Sequence, residues 1–248
     1  MITTSLSCTS NQVCILIHGT WGTGSDWHNP GNPFYDTLKK NLAASQIKLI
    51  DFNWCGTLSY EKRKIAGLNL ANLMDSYPPQ TKFMIIAHSH GGNVGILASQ
   101  YLQQTNQITS FYALGTPIDT SSYLPNMQVI QKFYNIFSFG DLCQTVFGMH
   151  ARLLPKGPRI YNLNIEINDQ KPQHEDLHCP TIAKWLLHIP GCLKDFSCDN
   201  HFFAQFYDHC KPVITIDPNL EFKLTQDLKL HAQLHANLTD FTNGRSAL

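Results

Sequence analysis

Short, almost wholly apolar runs alternate along the chain with stretches whose apolar residues recur every three or four positions. Val13-Cys14-Ile15-Leu16-Ile17 and Phe83-Met84-Ile85-Ile86-Ala87 contain no polar residue, as expected of strands covered on both faces. Ile47 to Trp54, Phe111 to Leu114, Lys132 to Phe139 and Arg159 to Ile167 predict four more strands. Between the strands lie helical stripes: Phe34, Leu38 and Leu42; Ala66, Leu70, Leu73, Met74 and Tyr77; Val94, Leu97, Ala98, Tyr101 and Leu102. Pro78-Pro79 stops the second. Pro180 opens a last helix, with Ile182, Trp185, Leu186 and Ile189 on one face. This alternation predicts an α/β fold, a mostly parallel central sheet with helices on both faces.

After Pro190 the pattern changes. Val213, Ile214 and Ile216, then Leu220, Phe222 and Leu224, then Leu228, Leu230, Ala232, Leu234, Ala236 and Leu238 lead to a strict alternation with polar residues. That period of two predicts an extended C-terminal β appendage from Pro212 onward, with a hairpin turn near Gln226-Asp227. Leu, Ala and Gln are good helix formers, which leaves a helix open. Residues 1–190 are expected to form the main domain and 191–248 an appendage packed on it.

The 248 residues suffice for one large α/β domain. Only 15% are charged, against about 25% in typical domains, and 18 basic residues balance 18 acidic ones. Without a basic excess, no nucleic-acid partner is expected. Met1 to Gln12 lacks the basic and apolar regions of a signal peptide. No apolar run approaches the roughly 18 residues of a membrane span. The expectation is a soluble, cytoplasmic-type protein. Oligomeric state leaves no mark in the sequence. The eight cysteines are scattered, with no zinc spacing, and free thiols are expected. Cys192, Cys198 and Cys210 could hold one disulfide in an exported protein.

The segment Ile85-Ile86-Ala87-His88-Ser89-His90-Gly91-Gly92-Asn93 carries chemistry. An apolar strand runs into Ser89 and a helical stripe follows at once, the context of a nucleophile elbow. Such a turn needs small residues two before and two after the serine, and Ala87 and Gly91 supply them. The serine then stands at a helix N-terminus, where backbone N–H groups favour a developing anion. An ordinary serine N-cap is the plainer alternative.

Four motifs carry a resemblance: His18-Gly19-Thr20-Trp21-Gly22, Ala87-His88-Ser89-His90-Gly91-Gly92, Leu114-Gly115-Thr116-Pro117 and His174-Glu175-Asp176-Leu177-His178. Together they resemble the α/β-hydrolase superfamily of the bacterial lipase and serine esterase type, over Val13 to about Ile189. The resemblance implies an α/β-hydrolase fold and a Ser-Asp-His triad with Ser89 as nucleophile. It puts one oxyanion donor at the backbone N–H of Thr20, with Trp21 as the neighbour it could be confused with. The N–H of His90, next after the nucleophile, is the other.

In this fold the acid follows the serine, past a strand end, and the histidine comes last. Asp141 fits the acid and Asp119 competes. His174 fits the base, and His178 stands just before the helix that opens at Pro180. The other histidines, including His28, His150, His188, His201 and His209, carry no motif. Although the chain has 12 histidines, no HExxH or other ligand spacing occurs, so neither metal nor cofactor is expected. The loop Gly22 to Pro33 and the segment Ile118 to Ile130 should flank the elbow. Trp21, Tyr123, Leu124 and Met127 are the candidate substrate contacts, with Trp27 and Trp54 as further apolar walls. The expected substrate is a small-molecule or lipid ester, or a thioester, with an apolar acyl chain. A peptidase or amidase uses the same triad, and a non-catalytic binding module could use the same fold.

Overall fold

The computed structural model describes residues 12–22, 26–103, 107–143, 152–197 and 200–226. Its centre is an eight-stranded sheet. The strands are β1 (Gln12–Ile17), β2 (Lys48–Phe52), β3 (Lys82–His88), β4 (Gln107–Leu114), β5 (Phe133–Phe137), β6 (Ile160–Ile167), β7 (His201–Phe206) and β8 (Val213–Ile216). They lie in the order β2-β1-β3-β4-β5-β6-β7-β8, and only the β7–β8 pair is antiparallel. Helix α1 (Pro33–Ala43) starts at Asn32, whose side chain accepts from the Phe34 amide. Helix α2 (Tyr60–Asp75) starts at Ser59 in the same manner, and α3 (His90–Tyr101) follows Ser89 directly. With helices on both faces of a mostly parallel sheet and a strand–turn–helix at Ser89, this is an α/β-hydrolase fold.

Alternate residues of each strand point to opposite faces, and the chain uses the alternation to build two cores. Ile15, Ile85, Phe111 and Phe133 pack on one side beneath α2 and α3, through Leu70, Val94 and Leu97. Leu16, Ile86, Tyr112, Tyr134 and Tyr161 pack on the other, against Phe34 and Leu38 of α1 and Ile182 of the helix Pro180–Trp185. Tyr112, Tyr134 and Tyr161 stack across three adjacent strands at centroid distances of 4.9 and 5.3 Å.

The predicted strands and helices up to Pro180 are present, with ends moved by a few residues. The region after Pro190 differs more. His201–Phe206, not predicted, is a full parallel strand, with Phe202, Ala204 and Phe206 in the second core. Val213–Ile216 is extended as expected and adds the antiparallel edge. Leu220 to Gln226 is helical rather than extended. Leu220 and Leu224 are buried against Phe137, whereas Phe222 is 66% exposed. A strand would set all three on one face; a helix sets residues four apart together and turns the one between them away. The hairpin near Gln226-Asp227 and the alternation from Leu228 to Leu238 fall largely outside the described residues. The six described cysteines, Cys192 and Cys210 among them, are free thiols. No helix among the described residues is long and apolar enough to cross a membrane.

Candidate active site

Ser89 sits where β3 breaks into α3, with φ 54° and ψ −135°. A non-glycine residue in this region costs about 1–3 kcal/mol and persists only where its surroundings enforce it. Here the Ser89 amide donates to the Leu114 carbonyl at 2.8 Å, and the Gly92 amide donates to the Ser89 carbonyl at 2.9 Å. The helix then passes so close to the end of β1 that a Cβ on Gly91 would lie 2.5 Å from the carbonyl oxygens of both Ile17 and His18. Only glycine fits there.

The strand-end loop after β1 lies beside this turn. Thr20 Oγ1 and His90 Nδ1 share a 2.8 Å hydrogen bond, which ties together the two segments expected to supply oxyanion donors. The Trp21 amide donates to the Gly56 carbonyl at 2.8 Å, whereas the Thr20 amide has no acceptor among the described residues. Of these two neighbouring donors, only Thr20 is uncommitted. His18 anchors the loop from beneath. Its Nδ1–H donates to the Gly19 carbonyl at 2.8 Å, its Nε2 accepts from the Trp54 amide at 3.3 Å, and its own carbonyl accepts from Trp54 Nε1 at 2.7 Å. Burial holds His18 below the usual histidine range, which matches a ring that donates with one nitrogen and accepts with the other. His28 goes the other way. Burial pulls it down, but its hydrogen bond to Asp51 and that residue's charge win, so its pKa is raised.

Across the cleft, His174 Nδ1–H donates to Asp141 Oδ2 at 2.7 Å. Asp141 is wholly buried and the His174 side chain is 12% exposed. Arg152, buried beneath, donates to the Asp141 carbonyl at 3.1 Å and holds the backbone of that loop. His88 Nε2–H donates to the His174 carbonyl at 3.0 Å, and the two rings lie 4.5 Å apart. Burial, and then the neighbouring His174 and His178, push His88 well below the usual range, so it stays neutral. His178 belongs elsewhere: Nε2–H donates to Glu175 at 2.9 Å and its ring stacks on Trp27 at 5.1 Å. Asp119 is exposed and accepts from Ser121 and Ser122. Two trios of donors, His88-Glu175-His178 and Asp141-Cys143-His174, bring possible ligand atoms within 4.8 Å of one another. In each trio a histidine already donates to the carboxylate, so both contacts are accounted for without a cation.

A cleft of about 230 Å³ brings Thr20, Trp21, Trp27, Ser89, His90 and His174 to one surface. Of the expected substrate contacts, Trp21 lines it and is 70% exposed. Tyr123 does not; it is buried beside a second cavity. Leu124 is 51% exposed, and Met127 packs on the core. Neither borders the cleft, because the segment Ile118 to Ile130 turns towards α2 and α3 instead of over Ser89. Trp54 spends its indole N–H on the His18 carbonyl. Leu58, Cys143 and Glu175 do line the cleft; Glu175 comes with the His174-Glu175-Asp176-Leu177-His178 motif, whereas Leu58 stands in a loop before α2, where nothing in the sequence singled it out.

No protein-family model matches the sequence, and no curated protein matches it. Among solved structures the chain is similar to a protein described as a hydrolase of the α/β superfamily from Xanthomonas campestris pv. campestris. The two are 13% identical over 66% of this chain and 88% of that one, with a TM-score of 0.41. It is also similar to the esterase domain of a Rhodothermus marinus protein, 11% identical over 75% and 88% of the two chains, with a TM-score of 0.41. A methylesterase from Arabidopsis is 14% identical over 72% and 98%, with a TM-score of 0.37. The α/β-hydrolase fold itself follows from the chain's own strand order and from the strained turn at Ser89.

Proposed function

We propose that this protein is a serine hydrolase that cleaves a carboxylic ester or thioester through an acyl-enzyme. Ser89 is the nucleophile, His174 the general base and acid, and Asp141 the residue that orients it. The observation that carries the reading is the buried Asp141–His174 hydrogen bond on the same cleft as the strained Ser89. With Nδ1–H held by Asp141, the remaining nitrogen of His174, Nε2, is the basic one and is free to take the Ser89 proton.

In the first half-reaction Ser89 Oγ attacks the carbonyl carbon as its proton passes to His174. The carbonyl oxygen becomes an oxyanion, met by the amides of Thr20 and His90; each such donor contributes on the order of 10²–10³ in rate. The tetrahedral intermediate collapses, the C–O or C–S bond breaks, and His174 protonates the departing alkoxide or thiolate. Water, deprotonated by His174, then releases the acid and restores Ser89. Trp21, Trp27 and Leu58 give the cleft its apolar walls and suit an apolar acyl segment next to the reacting carbonyl.

The direct test is labelling by an active-site fluorophosphonate, located by peptide mass spectrometry, together with a series of p-nitrophenyl esters and thioesters of rising chain length and a peptide panel. Label on Ser89 with turnover of esters supports the reading. Turnover of peptides alone makes the protein a peptidase, and neither label nor turnover leaves a binding module.

A further inference from the structure

A second cavity, of about 240 Å³, adjoins the cleft through His90, which borders both. Arg63, Asn93, Asp119 and Tyr123 line it. Arg63, in the first turn of α2, is only 8% exposed. Its Nε donates to the Tyr123 hydroxyl at 2.8 Å and its Nη1 to the Leu58 carbonyl at 2.8 Å. Nη2 has no acceptor, and no carboxylate pairs with the guanidinium, among the described residues. Asn93, 1% exposed, is buried in the same wall.

Buried arginines are almost always paired, because a desolvated charge with no counter-ion is costly. A guanidinium that only braced the Leu58 loop would have no need to border a cavity with one nitrogen uncommitted. The uncommitted Nη2 calls for an acceptor, and so for an anionic occupant rather than the end of an acyl chain. Asp119, which lines the same cavity, is exposed, accepts from Ser121 and Ser122, and makes no ion pair with Arg63 among the described residues. The charge of Arg63 is felt in the neighbouring site. Burial first, and then Arg63, push His90 down to about 4.

We propose that this cavity receives a carboxylate at the far end of the substrate's acyl part, bound by Arg63, so that the preferred substrates are half-esters or half-thioesters of dicarboxylic acids. The proposal rests on the hydrolase reading above. The side of the scissile bond follows from the chemistry. The leaving group must lie against His174, which protonates it, and His174 does not border the cavity; what reaches beyond His90 is therefore acyl. The charge follows from the lining. One cation with an acidic residue at the rim suits a monoanionic carboxylate and disfavours a phosphate dianion, which needs more than one cation.

The test compares the mono-p-nitrophenyl esters of succinate, glutarate and adipate with neutral isosteres in which a methyl ketone replaces the carboxylate. For at least one chain length, kcat/KM of the wild-type protein should favour the carboxylate by about tenfold or more, the size of a hydrogen bond to a charged group. In Arg63→Gln that ratio should fall to about one or below. The ratio is internal to each variant, so general loss of folded protein does not mimic the result. With wild-type protein alone, sodium glutarate should inhibit cleavage of a neutral ester competitively and at least tenfold better than glutaramide. Preference ratios near one at all three lengths, with glutarate no better than glutaramide, overturn the proposal while leaving the hydrolase reading intact. If no ester is cleaved and Ser89 resists fluorophosphonate, the hydrolase reading fails. Calorimetric titration of glutarate into wild-type and Arg63→Gln proteins then decides the cavity separately: binding lost in the variant keeps the carboxylate site, and no wild-type binding removes it.

Discussion

His174 and Asp141 come from loops 33 residues apart in the chain and meet through a 2.7 Å hydrogen bond whose acceptor is entirely buried. Four residues after His174, His178 stacks on Trp27 and binds Glu175 instead. His174→Ala should therefore lower kcat by several orders of magnitude, since Ser89 loses its proton acceptor. His178→Ala should cost less than about tenfold, mostly in KM or stability. Steady-state kinetics on one p-nitrophenyl ester checks the ranking, and the reverse order would move the base to His178.

Ser89→Ala should abolish turnover and labelling while leaving the fold intact. Among the described residues the Ser89 side chain makes no hydrogen bond; the backbone bonds from Ser89 to Leu114 and from Gly92 to Ser89 hold the elbow. Circular dichroism and a melting temperature within a few degrees of wild type, with no measurable ester cleavage, is the expected outcome. Retention of most of the activity would remove Ser89 from the mechanism.

Thr20→Val removes the hydroxyl that shares a hydrogen bond with His90 Nδ1 while keeping side-chain shape and the Thr20 backbone amide. If the bond sets the spacing of the two amides around the oxyanion, kcat should fall by about tenfold with KM little changed, because only the transition state uses both donors. An unchanged kcat would mean that the backbone alone holds the hole.

Much of the frame was legible because strands buried on both faces and helices with one apolar stripe write their burial directly into the chain. Val13 to Ile17, Phe83 to Ala87 and the stripe Val94-Leu97-Ala98 are of this kind. His201–Phe206 was not, since His201 and Gln205 interrupt its apolar residues; its place in the sheet comes from pairing with β6. Leu220, Phe222 and Leu224 fit a period of two as well as a spacing of four, and only the packing of the leucines on Phe137 separates the readings. Within the candidate site, the serine turn announces itself locally. Which histidine reaches Asp141 depends on a single turn of 3-10 helix over Glu175–His178. The Arg63 cavity was out of reach, because Arg63 and Tyr123 are 60 residues apart and neither stands in a motif.

Gly115 follows β4 with φ +58°, and a Cβ there would lie 2.7 Å from Leu177 Cδ1 and 3.0 Å from Asp141 Oδ2. Gly115→Ala combines a left-handed backbone with a methyl group pressed against the acid and the floor under His174. The expected loss of stability is about 1–3 kcal/mol, seen as a lower denaturation midpoint. Activity measured well below that midpoint should also fall, because Asp141 must shift to admit the methyl group. A stable variant with full activity would mean that the Leu114-Gly115-Thr116-Pro117 turn adjusts freely and does not position Asp141.

Acid should destabilise this fold in a particular window, and His90 supplies the reason. Its pKa in the folded protein is about 4, depressed by burial and then by Arg63 and His174, whereas in the unfolded chain it returns to about 6.5. Above the unfolded value both states are neutral at His90 and the residue has no effect. Between about 6.5 and 4 the unfolded chain binds a proton that the folded one refuses, so stability falls as the pH is lowered through this range. His88, also depressed by burial, acts in the same direction, while His28, raised by Asp51, opposes both. Urea denaturation at pH 7, 6, 5 and 4 should show a steady loss of stability on going down, and His90→Asn should lose less over the same interval because one of the protons taken up on unfolding is gone. A variant that declines as steeply as wild type would assign the acid sensitivity to His88 or to other groups and leave His90 out of it.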